Sequence, residues 1–87
     1  MDYEYPLDIN WSVNELVKVM NLYQAVEKAY EEGIEKKELL NAYKEFKTVV
    51  NSKSEEKQLD KAFFKISGYS IYQTIKKTND DFQLIKM

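Results

Sequence analysis

The strongest chemical feature of this chain is a series of lysines at regular spacing. Four of them recur every four residues: Lys53, Lys57, Lys61 and Lys65. On a helix this spacing forms one slowly turning ridge, which could follow the phosphates of a nucleic acid. The same segment carries Glu55, Glu56 and Asp60, which offer intrahelical ion pairs. We therefore favour a solvated helix face and keep nucleic-acid binding through this lysine ridge as an alternative.

A cluster of carboxylates suggests a second kind of chemistry, the binding of magnesium. Four glutamates fall close together: Glu27, Glu31, Glu35 and Glu38. Helical nucleotide pyrophosphatases hold Mg²⁺ with paired glutamates, but Glu35 and Glu38 straddle a predicted helix start instead of sharing one inner face. Glu56 and Asp60 are spaced four apart, whereas those enzymes use three. A magnesium-dependent nucleotide hydrolase is thus the least favoured alternative.

The 87 residues contain no histidine, cysteine or arginine. Histidine is the side chain that titrates near neutrality without perturbation, and the cysteine thiolate is the strongest nucleophile among side chains. Their absence excludes disulfides, cysteine nucleophiles and the Glu-x-x-His pairs of di-iron bundles. An AT-rich gene explains lysine in place of arginine. We predict a non-enzymatic protein without catalytic residues, metal ligands or a cofactor.

A surplus of apolar side chains is the third candidate feature, and five residues carry it: Tyr3, Tyr5, Trp11, Leu22 and Phe64. Ordinary packing in the core or along the arm would account for them. Because tyrosine and tryptophan anchor many protein interfaces, they could instead form a candidate partner surface together with the lysine ridge. The main functional prediction is a small interaction or adaptor protein that binds another protein, with a homodimer left open.

The elements that position these residues are all helical. Ser12 and Glu15 form a capping-box pattern, and Gly33 and Gly68 are typical helix stops. Glu35 is a poor N-cap type. We predict an all-α fold, a compact bundle of about four helices at residues 13–32, 36–50, 53–66 and 71–78. An extended N-terminal arm, residues 1–11, precedes them because Pro6 disfavours helix there.

Length and hydropathy fit a single domain, residues 1–78. Residues 79–87 are too short to bury themselves reliably, so a mobile tail is expected.

The N-terminus has no signal-peptide pattern and no apolar run exceeds three residues, which excludes a transmembrane helix and predicts a cytoplasmic protein without a membrane partner. The net charge of -2 is divided, because residues 1–35 carry eight acids and two lysines while residues 36–77 carry ten lysines and five acids.

Several stretches taken together resemble one protein family: Tyr5-Pro6-Leu7-Asp8, Trp11-Ser12, Glu27-Lys28-Ala29-Tyr30, Ser52-Lys53, Glu55 to Lys61, and Ser67-Gly68-Tyr69-Ser70. The pattern is similar to the uncharacterised protein family 0223 of low-GC Gram-positive bacteria, over roughly residues 3–77. This resemblance implies an all-helical cytoplasmic protein with no assigned activity. Glu35 departs from the family, where a better N-cap such as Ser or Asp is usual, and the tail after Thr78 does not match it.

Overall fold

Four α-helices form the frame of the protein in a computed structural model, which describes residues 3–87. Their bounds are α1 Val13–Glu31, α2 Lys36–Val49, α3 Lys53–Ser67 and α4 Ile71–Lys76, and a 3-10 turn, Lys77–Asn79, follows α4. The predicted all-α bundle is confirmed. The first three helices end within a residue of the expected positions, whereas the fourth changes to 3-10 geometry after Lys76.

Serine side chains cap three of these helices. At the start of α1 the Ser12 hydroxyl accepts from the Glu15 amide (3.2 Å), and the Glu15 carboxylate accepts from the Ser12 amide (2.8 Å). Ser52 and Ser70 cap α3 and α4 in the same way, but without the reciprocal bond. Helix α2 begins after Glu35, whose side chain makes no capping hydrogen bond. Short polar side chains thus mark the start of three of the four helices, and α2 begins without one.

Helix α1 lies at the centre of the core. It is buried at Val19, Leu22, Tyr23, Ala25, Val26 and Ala29, because α2 covers one side and α3, α4 and the arm cover the other. Leu22 is fully buried, so its place in the candidate partner surface was wrong. These buried positions are covered on two sides within one chain, and Leu22 needs no second subunit to bury it.

The tail also differs from the expected mobile segment. Strand β1, Ile34–Glu35, pairs antiparallel with strand β2, Leu84–Ile85, and Ile85 is fully buried beside Ile34. The Met87 amide donates to the Ala29 carbonyl (2.9 Å). The tail is therefore docked in this structure. Its stability comes from one buried side chain and from main-chain hydrogen bonds, which a side-chain pattern does not reveal.

Candidate functional site

The arm tyrosines lie against the bundle and share one carboxylate. The hydroxyls of Tyr3 and Tyr5 both donate to Glu27, with 2.6 Å between Tyr5 Oη and Glu27 Oε1. Burial, together with the hydrogen bond and the negative charge of Glu27, raises the pKa of both tyrosines well above the ordinary value. Both hydroxyls are occupied inside the chain.

Behind these tyrosines, the aromatic rings continue into the core. Tyr5 lies 5.1 Å from Tyr23, and Tyr23 stacks on Phe63 at 4.7 Å between ring centroids. The Tyr23 hydroxyl donates to the Pro6 carbonyl (2.8 Å), which ties the arm to α1. We call Tyr3, Tyr5, Tyr23, Glu27 and Phe63 the arm cluster. Trp11 is likewise half-buried against the core, so Tyr3, Tyr5 and Trp11 serve packing here.

The lysine ridge has a different environment. Lys53, Lys57, Lys61 and Lys65 are all exposed, and none forms an ion pair with a carboxylate in the part of the chain that the structure describes. The intrahelical pairs that the sequence offered are thus not made there. The four positive charges remain available to another molecule.

Two acids of α3, Glu56 and Asp60, bind other groups instead of the ridge lysines. Glu56 accepts from the Tyr43 hydroxyl and from Lys47 Nζ, both at 2.7 Å. Burial, with the hydrogen bond and charge of Glu56, raises the pKa of Tyr43 to about 12. Asp60 accepts from the amides of Ile71 (2.8 Å) and Tyr72 (3.2 Å) and so caps α4. Both carboxylates therefore make hydrogen bonds within the chain that hold its helices together.

Between α3 and α4 lies an open groove of about 730 Å³ beside this ridge. Asp60 lies in its wall, and the other lining residues are Lys57, Lys61, Phe64, Ser70, Tyr72 and Gln73. Phe64 is 55% exposed and Tyr72 is 62% exposed, which are high values for aromatic side chains. We call this feature the lysine groove. A shallower depression beside Tyr43 shares Lys57, Asp60 and Tyr72 with it and extends it along α3.

Tyr72 lines the groove but is not among the candidate residues that the sequence indicated. The signal that could have found it is the spacing of Ile71, Thr74 and Thr78, which are buried and define one face. Tyr72 is off that face and therefore points outward. Of the predicted surface residues, the structure brings Phe64 together with Lys57 and Lys61. It places Tyr3 and Tyr5 in the arm cluster and packs Trp11 against the core.

The glutamates considered for magnesium do not converge. Glu27 accepts from the arm tyrosines, Glu31 from the Tyr69 hydroxyl (2.9 Å), and Glu38 pairs with Lys28 (3.6 Å). Among residues 3–87 no three acidic side chains come together in a geometry that could hold a metal ion. None of the helices within those residues combines the length and the apolar character needed to span a bilayer.

Comparison with known proteins assigns this chain to a protein family. The profile of the uncharacterised protein family UPF0223 matches residues 2–84, so the expectation that the tail after Thr78 lies outside the family was wrong. A UPF0223 protein of Bacillus cytotoxicus is 49% identical, with both chains covered completely. Relatives in Bacillus pumilus (52% identical; 92% of this chain and 90% of the relative) and Streptococcus uberis (48%; 91% and 86%) carry the same family description. These species agree with the low-GC Gram-positive resemblance, and the chain belongs to the uncharacterised protein family UPF0223.

Proposed function

We propose that this protein is a non-enzymatic binding module whose lysine groove holds an acidic segment of a partner protein. One observation carries the proposal: Phe64 and Tyr72 are more than half exposed in a groove that they share with Lys57 and Lys61, two lysines that make no ion pair within residues 3–87. An aromatic patch with a charged rim is the usual composition of a protein-binding site. The expected partner segment carries an apolar side chain flanked by carboxylates.

Each part of the groove has a distinct role in such a complex. Phe64 and Tyr72 supply the apolar contact area that accounts for most of the affinity at small interfaces. Lys57 and Lys61 attract the acidic segment, which speeds encounter and sets its orientation. Asp60 also carries a negative charge in the groove wall, where two amides of α4 bind its carboxylate, but Lys57 and Lys61 outnumber it and leave the lining net positive.

The test compares a groove variant with a matched control. The groove variant K57E/K61E reverses two lysines of the ridge, and the control K37E/K44E reverses two exposed lysines of α2 that also make no ion pair in the described chain. A partner that co-purifies in stoichiometric amount is purified and titrated against each protein by calorimetry. We expect the control to bind like the wild type and the groove variant to bind about tenfold or more weakly.

Two results would contradict the proposal. In the first, the purified partner binds K57E/K61E as tightly as the wild type. In the second, the wild-type protein shifts a nucleic acid at low salt and K57E/K61E does not, which would favour the nucleic-acid alternative because phosphate contacts strengthen as salt falls.

A further inference from the structure

The tail presents a second apolar surface, opposite in charge to the lysine groove. Phe82 is 60% exposed and Leu84 is 57% exposed, although both lie in a segment whose neighbour Ile85 is fully buried. Asp80 and Asp81 are exposed just before them and form no ion pair in the described range, 3–87. We call Asp80 to Leu84 the acidic tail segment. Its sequence is two carboxylates followed by two exposed apolar side chains, which is the composition that the groove would accept.

The main chain of the acidic tail segment is held in place by hydrogen bonds. The Lys36 amide donates to the Gln83 carbonyl (2.7 Å), and Lys36 Nζ donates to the Asp80 carbonyl (2.8 Å). Pairing of β1 with β2 adds to these bonds. The segment is therefore preorganised, with its apolar side chains facing outward, and little conformational entropy is lost when another surface covers it.

We propose that the acidic tail segment of one copy docks in the lysine groove of a second copy. Asp80 and Asp81 would meet Lys57 and Lys61, and Phe82 would cover the exposed aromatic rings of the groove. The charge pattern supports this pairing, because each surface supplies what the other lacks.

The position of the two surfaces allows the contact to close into a dimer. Gln73 lines the lysine groove and also the depression between α4 and the tail, where Asp80 lies. The groove and the acidic tail segment therefore adjoin along α4. A two-fold axis beside α4 would bring each groove to the tail of the other copy, so that both contacts form at once and no open filament results.

This inference uses the same groove as the proposed function and adds a regulation to it. A groove filled by a second copy is closed to a partner protein, so the partner must compete with self-association. Dilution or a high partner concentration would favour the open form.

The test is the mass of the purified protein in solution, measured by light scattering and sedimentation equilibrium over a range of concentrations. We expect the wild type to approach twice the chain mass of 10.4 kDa at high concentration. K57E/K61E and D80K/D81K should each dimerise about tenfold or more weakly, whereas K37E/K44E should behave like the wild type. Far-UV circular dichroism establishes that each variant is folded.

A mixture of the two reversed variants provides the decisive measurement. In an equimolar mixture, the acidic groove of K57E/K61E meets the basic tail of D80K/D81K, and the two unchanged surfaces also match. We expect the mixture to dimerise at concentrations at which neither variant does so alone. A variant with all four reversals should dimerise as well, because its groove and tail are again opposite in charge.

The inference is overturned if the wild type stays monomeric at millimolar concentration, or if the mixture of variants stays monomeric. Its failure is separable from failure of the proposed function. D80K/D81K leaves the groove intact and should therefore still bind the partner protein. If the wild type never dimerises, and only K57E/K61E loses the partner, the proposed function stands and self-association is rejected.

Discussion

The arm cluster and the lysine groove are two aromatic regions with opposite relations to the rest of the chain. In the arm cluster, tyrosine hydroxyls donate to Glu27 and to the Pro6 carbonyl, and the rings stack on Phe63. In the lysine groove, Phe64 and Tyr72 are largely exposed beside lysines for which the described part of the chain, residues 3–87, provides no ion pair. Aromatic content alone therefore does not identify a binding surface. A buried aromatic region and a candidate binding surface differ in whether groups of the same chain already bind the polar atoms and cover the rings.

Substitutions at the adjacent residues Phe63 and Phe64 test this contrast with the largest expected effect. Phe63 is fully buried and stacks on Tyr23. Phe63→Ala should lower the free energy of unfolding by about 3–5 kcal/mol, because it leaves a cavity in the arm cluster. Phe64→Ala should change it by only about 0.5 kcal/mol. Urea denaturation measures both, and similar losses at the two positions would break the comparison.

The second test removes the shared acceptor of the arm. Glu27→Ala leaves the Tyr3 and Tyr5 hydroxyls without their partner, and we expect a loss of about 1–3 kcal/mol in the free energy of unfolding. Glu27→Gln is the matched control, since its amide oxygen still accepts a hydrogen bond and the loss should be smaller. Near-UV circular dichroism should report loosened tyrosines in the alanine variant. An unchanged spectrum and unchanged stability would show that the arm is held by other contacts.

The third test concerns Asp60, which shapes the lysine groove from within. Asp60→Ala removes the cap from the Ile71 and Tyr72 amides, and we expect a loss of about 1 kcal/mol, with faster hydrogen exchange at these two amides. Asp60→Asn retains an acceptor oxygen and should lose less. If exchange at Ile71 and Tyr72 stays the same in Asp60→Ala, the carboxylate does not position Tyr72.

The fourth test concerns a loss of stability that does not occur at neutral pH and appears only in alkali. The folded state raises the pKa of Tyr43 from 10.0 to about 12, and the pKa values of Tyr3 and Tyr5 rise in the same direction. Below pH 10 these tyrosines are protonated in both states, so their stabilisation is fully present. Between pH 10 and 12 the unfolded chain loses protons first, and stability falls.

Urea titrations from pH 8 to pH 11.5 measure this fall. Tyr43→Phe and the double variant Tyr3→Phe/Tyr5→Phe should each flatten the profile, and the difference from wild type separates tyrosine from lysine ionisation. Identical profiles in wild type and both variants would contradict the role given to these hydroxyls.

The sequence predicted those features that depend on local chemistry. The Ser12 capping box, the glycine stops and the exposed lysine ridge all follow from residue type and helical period. Leu22 could not be placed, because an apolar arc on one helix looks the same whether its own chain or a second subunit covers it. The hydrogen bonds of Tyr3 and Tyr5 to Glu27 could not be predicted from the sequence, since contacts between residues far apart in sequence have no local signature. The two-residue strands likewise depend on main-chain bonds.

The pairing of Ile34 with Ile85 has a consequence for synthesis on the ribosome. Helices α1 and α2 can associate as soon as both have left the exit tunnel, but Ile34 lies between them and its partner strand is made much later. The second apolar cluster, around Ala29 and Leu39, therefore stays open while α3 and α4 emerge. We expect folding to be completed in one late step, in which the tail closes over the turn between the first two helices.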